Sequence, residues 1–104
     1  YILAGIDDDR KNLASVNHGA GRTMSRTAAK GKWKGGKMLK APAISRMEFE
    51  KSMEGVELIC ASQRGILEEA PQAYKDIDAI IDTVLGARLA NFICRSKPLA
   101  VLKG

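Results

Sequence analysis

His18 is the only histidine in the chain, and it stands in the run Ser15-Val16-Asn17-His18-Gly19-Ala20-Gly21-Arg22-Thr23-Met24-Ser25-Arg26. These residue types at this spacing fit the handling of a phosphate. A neutral imidazole is a competent nucleophile toward phosphorus. Gly19 and Gly21 permit positive φ and a close approach of backbone amides to a ligand. Thr23 or Ser25 can cap a helix running to about Lys30. A glycine loop that leads into a helix N-terminus presents unpaired N–H groups to an anion. A lone histidine is by default a packing residue, but a packing residue has no need of the Gly-Ala-Gly-Arg that follows. The loop matches neither GxxxxGK[ST] nor GxGxxG. No Ser/His/Asp triad can be assembled, because nothing fixes which aspartate would meet His18.

Two further groups hold polar chemistry. Tyr74-Lys75-Asp76-Ile77-Asp78 reads, taken alone, as the acidic start of a helix with Tyr74 packed beside it. Lys103 reads as a solvated terminus, except that Val101-Leu102 before it has the character of a buried strand, which would bring Lys103 out at a defined place. Cys60 and Cys94 have no CxxC spacing and no nearby histidine, so they give no zinc site. Lying in apolar, strand-like runs, they are expected as buried free thiols of a reducing cytosol.

The elements that must position these residues follow from periodicity. Tyr1 to Ile6 reads as a buried strand, Asp7 to Asn12 as a polar turn and Leu13 to Val16 as a second extended piece. Gly31 to Pro42, with its glycines and lysines, reads as a loop. Trp33 there either stacks on a base or, the favoured reading, pins the loop to the body. Ser45-Arg46-Met47-Glu48 fits a capping box, with Ile44 and Phe49 as its hydrophobic staple and Gly55 as the stop. Val56 to Ala61 reads as a strand, and Gly65 to Pro71 as a turn carrying Glu68 and Glu69. Asp76 can cap the longest helix, to about Arg88. Its stripe of Ile77, Ile80, Ile81, Val84 and Leu85 reads as core rather than site. Leu89–Cys94 and Leu99–Leu102 read as two closing strands around Ser96-Lys97-Pro98. The expected fold is therefore α+β, with short strands and about three helices.

The 104 residues allow one domain with a modest core, and no apolar run is long enough for a membrane span. The chain opens on Tyr1 inside an apolar run, which is expected of a segment of a longer protein. Net charge is +5, unevenly spread: ten Lys or Arg and no acid lie between Arg10 and Arg46. That half favours a polyanion such as nucleic acid, nucleotide or anionic lipid.

Three segments resemble the C-terminal part of the RtcB family of RNA ligases. Residues 15–26 resemble its guanylylation motif. Glu68-Glu69-Ala70-Pro71-Gln72-Ala73-Tyr74-Lys75-Asp76-Ile77-Asp78 resembles its E-A-P-x-A-Y-K-D-[IV]-D segment. Pro98-Leu99-Ala100-Val101-Leu102-Lys103-Gly104 resembles its chain end. Tyr1 to Gly5 is similar to the strand after a nucleotide loop of that family, and 30–55 matches no motif. The resemblance implies a cytoplasmic, GTP- and Mn²⁺-dependent enzyme that joins RNA ending in a 2′,3′-cyclic phosphate or 3′-phosphate to RNA with a 5′-hydroxyl. It implies that residues 1–104 are one segment of a larger catalytic domain. By motif position, His18 would attack the GTP α-phosphate and carry GMP. Gly19, Ala20 and Gly21 would line the nucleotide, Tyr74 and Lys103 would meet the guanosine, and Arg22 and Arg26 would contact RNA phosphates. The family's Cys, Asp and His ligands for Mn²⁺ lie upstream of the matching region, so this chain is expected to hold no metal and to be inactive alone. Two other readings compete: a non-catalytic basic RNA-binding module, and a structural fragment whose histidine and glycine loop merely pack.

Overall fold

A computed structural model of the chain describes residues 1–6, 12–61 and 65–103. The architecture is α+β. In order come β1 (Ile2–Gly5), α1 (Arg26–Lys30), β2 (Lys32–Lys34), β3 (Lys37–Lys40), α2 (Arg46–Ser52) and β4 (Glu57–Cys60). Two 3-10 turns follow (Ile66–Glu69 and Pro71–Ala73), then α3 (Ile77–Gly86), β5 (Ala90–Cys94) and β6 (Ala100–Lys103). The strands pair in twos: β1 with β5, β2 with β3, β4 with β6. The turn expected at Asp7 to Asn12 lies almost wholly outside the described residues. Among those residues no helix is long and apolar enough to cross a membrane.

The chain divides into two compact units. The first comprises Tyr1–Gly21 and Lys75–Lys97. Its β1 and β5 run antiparallel, Leu3 opposite Phe92 and Gly5 opposite Ala90. Asp76 caps α3, its carboxylate accepting the Asp78 N–H at 2.9 Å. Of the apolar stripe on α3, Ile81 and Val84 are buried, while Ile77 is 38% exposed. The helix stops at Gly86, short of Arg88, whose φ of 56° is incompatible with helix. Leu13 to Val16 is not extended. Leu13 and Ala14 take φ of 55° and 52°, inside a tight turn closed by Ser15 N–H on the Asn12 carbonyl at 3.0 Å. Asparagine initiates such turns readily, and a short stretch with three apolar residues and no strand partner does not outweigh it.

The second unit comprises Arg22–Tyr74 and Pro98–Gly104. Its core gathers Ala29, Ile44, Phe49, Ile66, Ala70 and Ala73, with Met24, Leu58 and Tyr74 packed against it. The capping box at α2 is complete: Ser45 Oγ accepts the Glu48 N–H at 3.2 Å, and Glu48 accepts the Ser45 N–H at 3.0 Å. Ile44 and Phe49 are both buried, as a staple requires. Gly55, with φ of 80°, turns the chain into β4. There β4 meets β6 in parallel, and Cys60 lies opposite Lys103.

Further expectations are corrected. Residues 31–42 contain a β-hairpin, not a loop. Gly35 and Gly36 have φ of 56° and 78°, the left-handed pair that a two-residue hairpin turn demands. At its root Gly31 has φ of 78°, and a Cβ there would sit 2.6 Å from the Lys40 carbonyl oxygen. Trp33 is 51% exposed, opposite Met38, and pins nothing. The two strands expected around Ser96-Lys97-Pro98 are present as β5 and β6, and each finds its partner in its own unit. Cys60 is half-buried and Cys94 exposed, and Leu102 is 75% exposed rather than buried.

Candidate active site

In the first unit the run 15–21 forms a loop over α3. Asn17 Nδ2 donates to the Gly19 carbonyl at 3.0 Å, folding the loop around His18. Lys75 N–H donates to the Gly21 carbonyl at 3.0 Å, tying its far end to the approach of α3. His18 is exposed. It borders a groove of about 260 Å³ whose walls include Leu3, Asn17, Ile77 and Ile81. Part of the α3 stripe is therefore a wall of the site as well as core. A second concavity of about 330 Å³ lies along Gly19, Ala20, Gly21, Lys75 and Ile80.

The glycines differ. Gly21 takes φ of 76°, whereas Gly19 is not among the positive-φ residues, so only one of the two uses the left-handed region. A Cβ built at either would meet nothing within 4 Å. The backbone there is open to an incoming group. An imidazole beside unobstructed backbone is a workable arrangement for nucleophilic attack on a phosphate held along the loop.

A polar trio adjoins the His18 groove. The Tyr1 hydroxyl donates to Asp78. Arg95 Nη2 lies 3.4 Å from Asp78 Oδ2, with its guanidinium 5.3 Å from the centre of the Tyr1 ring. The bond to the Asp78 carboxylate pushes the Tyr1 phenol above its ordinary range. In the sequence Asp78 reads as a helix-start acid, and nothing there assigns Tyr1 or Arg95 to a site. Residues far apart in the chain carry no local signal of their meeting.

The helix expected to receive an anion, α1, has only five residues, and Ser25 Oγ already accepts its Ala28 N–H at 3.1 Å. It presents no developed N-terminal site.

In the second unit Glu69 is the hub. Its carboxylate accepts a hydrogen bond from the Tyr74 hydroxyl. Lys103 Nζ lies 3.3 Å from Glu69 Oε1 and 3.5 Å from Glu68 Oε1. Arg22 Nη1 donates to the Tyr74 hydroxyl at 3.0 Å and lies 3.6 Å from Glu69 Oε2. The remaining donors of Arg22 are also engaged: Nε with the Met24 carbonyl at 3.0 Å, and Nη2 with the Glu68 carbonyl at 2.6 Å. Its guanidinium sits 4.8 Å from the centre of the Tyr74 ring. Arg26 reaches Glu69 at 3.6 Å but stays largely exposed, and Lys30 pairs with Glu68 at 2.9 Å.

The Tyr74 hydroxyl is the main cause that holds Glu69 below the usual carboxylate range; Lys103 and Arg22 add to it, and burial opposes it. Glu68 is lowered chiefly by Lys30. Tyr74 is raised, first by its bond to Glu69. A neighbouring concavity of about 180 Å³ is lined by apolar Phe49, Leu58, Ile66 and Val101 together with Glu69 and Lys103. It suits a flat, largely apolar group with a polar edge.

Of the residues singled out in the sequence, His18, Gly19, Ala20 and Gly21 belong to the first unit, and Arg22, Arg26, Tyr74 and Lys103 to the second. Within the second unit Arg22, Tyr74 and Lys103 converge through Glu69, a residue that sequence reasoning left in a turn. Among the described residues no three or more His, Cys, Asp or Glu are grouped so as to hold a metal ion.

Known proteins match this chain over its whole length. The family model described as tRNA-splicing ligase RtcB matches residues 1–104. The tRNA-splicing ligase RtcB of Thermococcus kodakarensis is 37% identical over 105 residues, covering all of this chain and 20% of that protein. The protein of the same name from Pyrococcus horikoshii is also 37% identical, over 11% of its length. The RNA-splicing ligase RtcB homolog 1 of Entamoeba dispar is 35% identical over 18% of its length. The chain thus spans about a tenth to a fifth of these relatives.

Proposed function

The chain belongs to the RtcB family, and from that premise we propose that it is one part of the catalytic domain of a GTP-dependent RNA ligase. Its substrates would be RNA ends bearing a 2′,3′-cyclic phosphate or 3′-phosphate and RNA ends bearing a 5′-hydroxyl. The observation that carries the proposal is the exposed His18, folded by Asn17 beside a glycine loop in which a Cβ at Gly19 or Gly21 would meet nothing within 4 Å. In this reading His18 is the nucleophile that accepts GMP from GTP with loss of pyrophosphate. Water first breaks the P–O2′ bond of a cyclic end to leave a 3′-phosphate; the GMP passes from His18 to that 3′-phosphate, and the 5′-hydroxyl then attacks the phosphate and displaces GMP. Gly19, Ala20 and Gly21 admit the phosphates, and Tyr74 and Lys103, held by Glu69, serve guanosine recognition. Arg26, exposed, is the better placed of the two arginines for an RNA phosphate. Mn²⁺ would stabilise charge on the phosphoryl oxygens, held by residues outside this chain. The large apolar side chains left exposed, Phe92 and Ile93 in one unit and Ile59 and Leu102 in the other, support a role as part of a larger fold.

The test uses the full-length protein with α-labelled GTP and Mn²⁺. A covalent GMP adduct should map to His18 by mass spectrometry. His18→Ala should abolish both adduct and ligation while RNA binding persists. Labelling that survives His18→Ala would remove His18 from the chemistry. The alternative, a non-catalytic RNA-binding module, draws on the unpaired lysines of the β2–β3 hairpin. It predicts no adduct in the native protein.

A further inference from the structure

The β2–β3 hairpin carries four lysines: Lys34 stands opposite Lys37 beside the turn, and Lys32 pairs with Lys40 across a register shift at Lys32/Trp33 that sets both Leu39 and Lys40 against one residue. Directly opposed residues of an antiparallel pair share a face, with Cβ atoms about 4.5–5.5 Å apart, and like charges so placed destabilise the sheet. All four lysines are exposed, and among the described residues none of them has an acidic partner. The contrast with their neighbour Lys30, which pairs with Glu68 at 2.9 Å, is sharp. Trp33 and Met38 oppose one another on the other face. The turn is fixed by two left-handed glycines, and Gly31 locks the root against Lys40 and Pro42, so the lysines sit on a defined ribbon rather than a floppy loop.

Four cations held close together against their own repulsion are a surface for regularly spaced negative charge. We propose that the lysine face of the hairpin at residues 32–40 is a backbone contact for the RNA strand, with Lys32, Lys34, Lys37 and Lys40 engaging successive phosphates. This deepens the ligase reading by naming where the RNA runs, and it rests on that reading for the identity of the polyanion. The contact is electrostatic and indifferent to sequence, as phosphate contacts are. Trp33 lies on the opposite face and takes no part in stacking on that strand.

The experiment measures RNA affinity of the full-length protein against salt, for the native protein and for the variant with Lys32, Lys34, Lys37 and Lys40 all changed to Gln, using a single-stranded RNA with a 3′-phosphate. Removing four phosphate contacts should lower the slope of log K against log salt by about 2–3, from about 0.7 per contact on a single strand. Affinity at low salt should fall by about tenfold or more. Because the opposed lysines repel, the variant should fold at least as well as the native protein. If it does not, the paired doubles Lys34→Gln/Lys37→Gln and Lys32→Gln/Lys40→Gln should each give about half the change in slope. GMP labelling of His18, scored in the same samples, should be unaffected. An unchanged slope with labelling intact overturns the hairpin contact and spares the ligase reading. A reduced slope in a protein that never forms the adduct overturns the ligase reading and keeps the contact. Tighter binding to phosphatidylserine vesicles than to RNA, lost in the variant, overturns RNA as the occupant.

Discussion

Lys103 Nζ rests 3.3 Å from Glu69 Oε1, while the other oxygen of the same carboxylate takes the Tyr74 hydroxyl. One acid thus positions both residues proposed to meet the guanosine. The pairing also bounds a pH window. The folded-state carboxyl of Glu69 is depressed, so its contribution to stability is full above its unfolded value and lost as pH falls through the folded one. The phenol of Tyr74 is raised, so its contribution is full below its unfolded value and lost as pH rises through the folded one. Glu69→Gln should therefore flatten the acid limb of a denaturation midpoint measured against pH, and Tyr74→Phe the alkaline limb. At neutral pH Glu69→Gln should cost about 0.5–1 kcal/mol, since the carboxylate is a third exposed and screened. If the proposed ligase function holds, it should also raise the KM of the full-length protein for GTP through a displaced Lys103. An acid limb that Glu69→Gln leaves unaltered would show that the carboxylate is not coupled to folding.

Arg22 and Arg26 belong to one motif but are held differently. Arg22 spends Nε, Nη1 and Nη2 on the Met24 carbonyl, the Tyr74 hydroxyl and the Glu68 carbonyl. Only a planar fork reaches three such acceptors, and a lysine ammonium cannot. Arg22→Lys should cost about 1–2 kcal/mol in denaturant unfolding. Arg26→Lys, at a side chain 68% exposed, should stay within about 0.5 kcal/mol of the native protein. Equal stability of the two variants would show that the Arg22 network is dispensable.

Local chemistry was legible in the sequence, and convergence was not. Ser45 with Glu48, Asp76 at the head of α3 and the Ile81–Val84 stripe each depend on residues within a turn or two of one another. The hairpin was missed because Gly35-Gly36 between lysines has the composition of a loop. What makes it a hairpin is the left-handed φ of both glycines, which is geometry rather than composition. Glu69 was missed because its partners are Arg22, Tyr74 and Lys103, and nothing near Glu69 in the chain signals the last. The parallel pairing of β4 with β6, which delivers Lys103, is likewise long-range. The sequence signals the strand that carries Lys103, but not the parallel partner β4 that places it.

Gly19 and Gly21 separate steric from conformational demands within the His18 loop. A Cβ meets nothing within 4 Å at either position. Gly21 has φ of 76°, a conformation that costs an L-residue about 1 kcal/mol or more. Gly19 takes no positive φ, so alanine there is compatible with the backbone, and by limiting the unfolded chain it should leave stability unchanged or raise it by about 0.5 kcal/mol. Gly21→Ala should therefore lower the denaturation midpoint, and Gly19→Ala should not. If the open space over Gly19 is where the nucleotide phosphates approach, Gly19→Ala should cut GMP labelling of His18 by about tenfold or more despite its intact fold, because a small misplacement of the reacting groups is enough. Labelling at the native rate in a stable Gly19→Ala protein would place the phosphates away from this face of the loop.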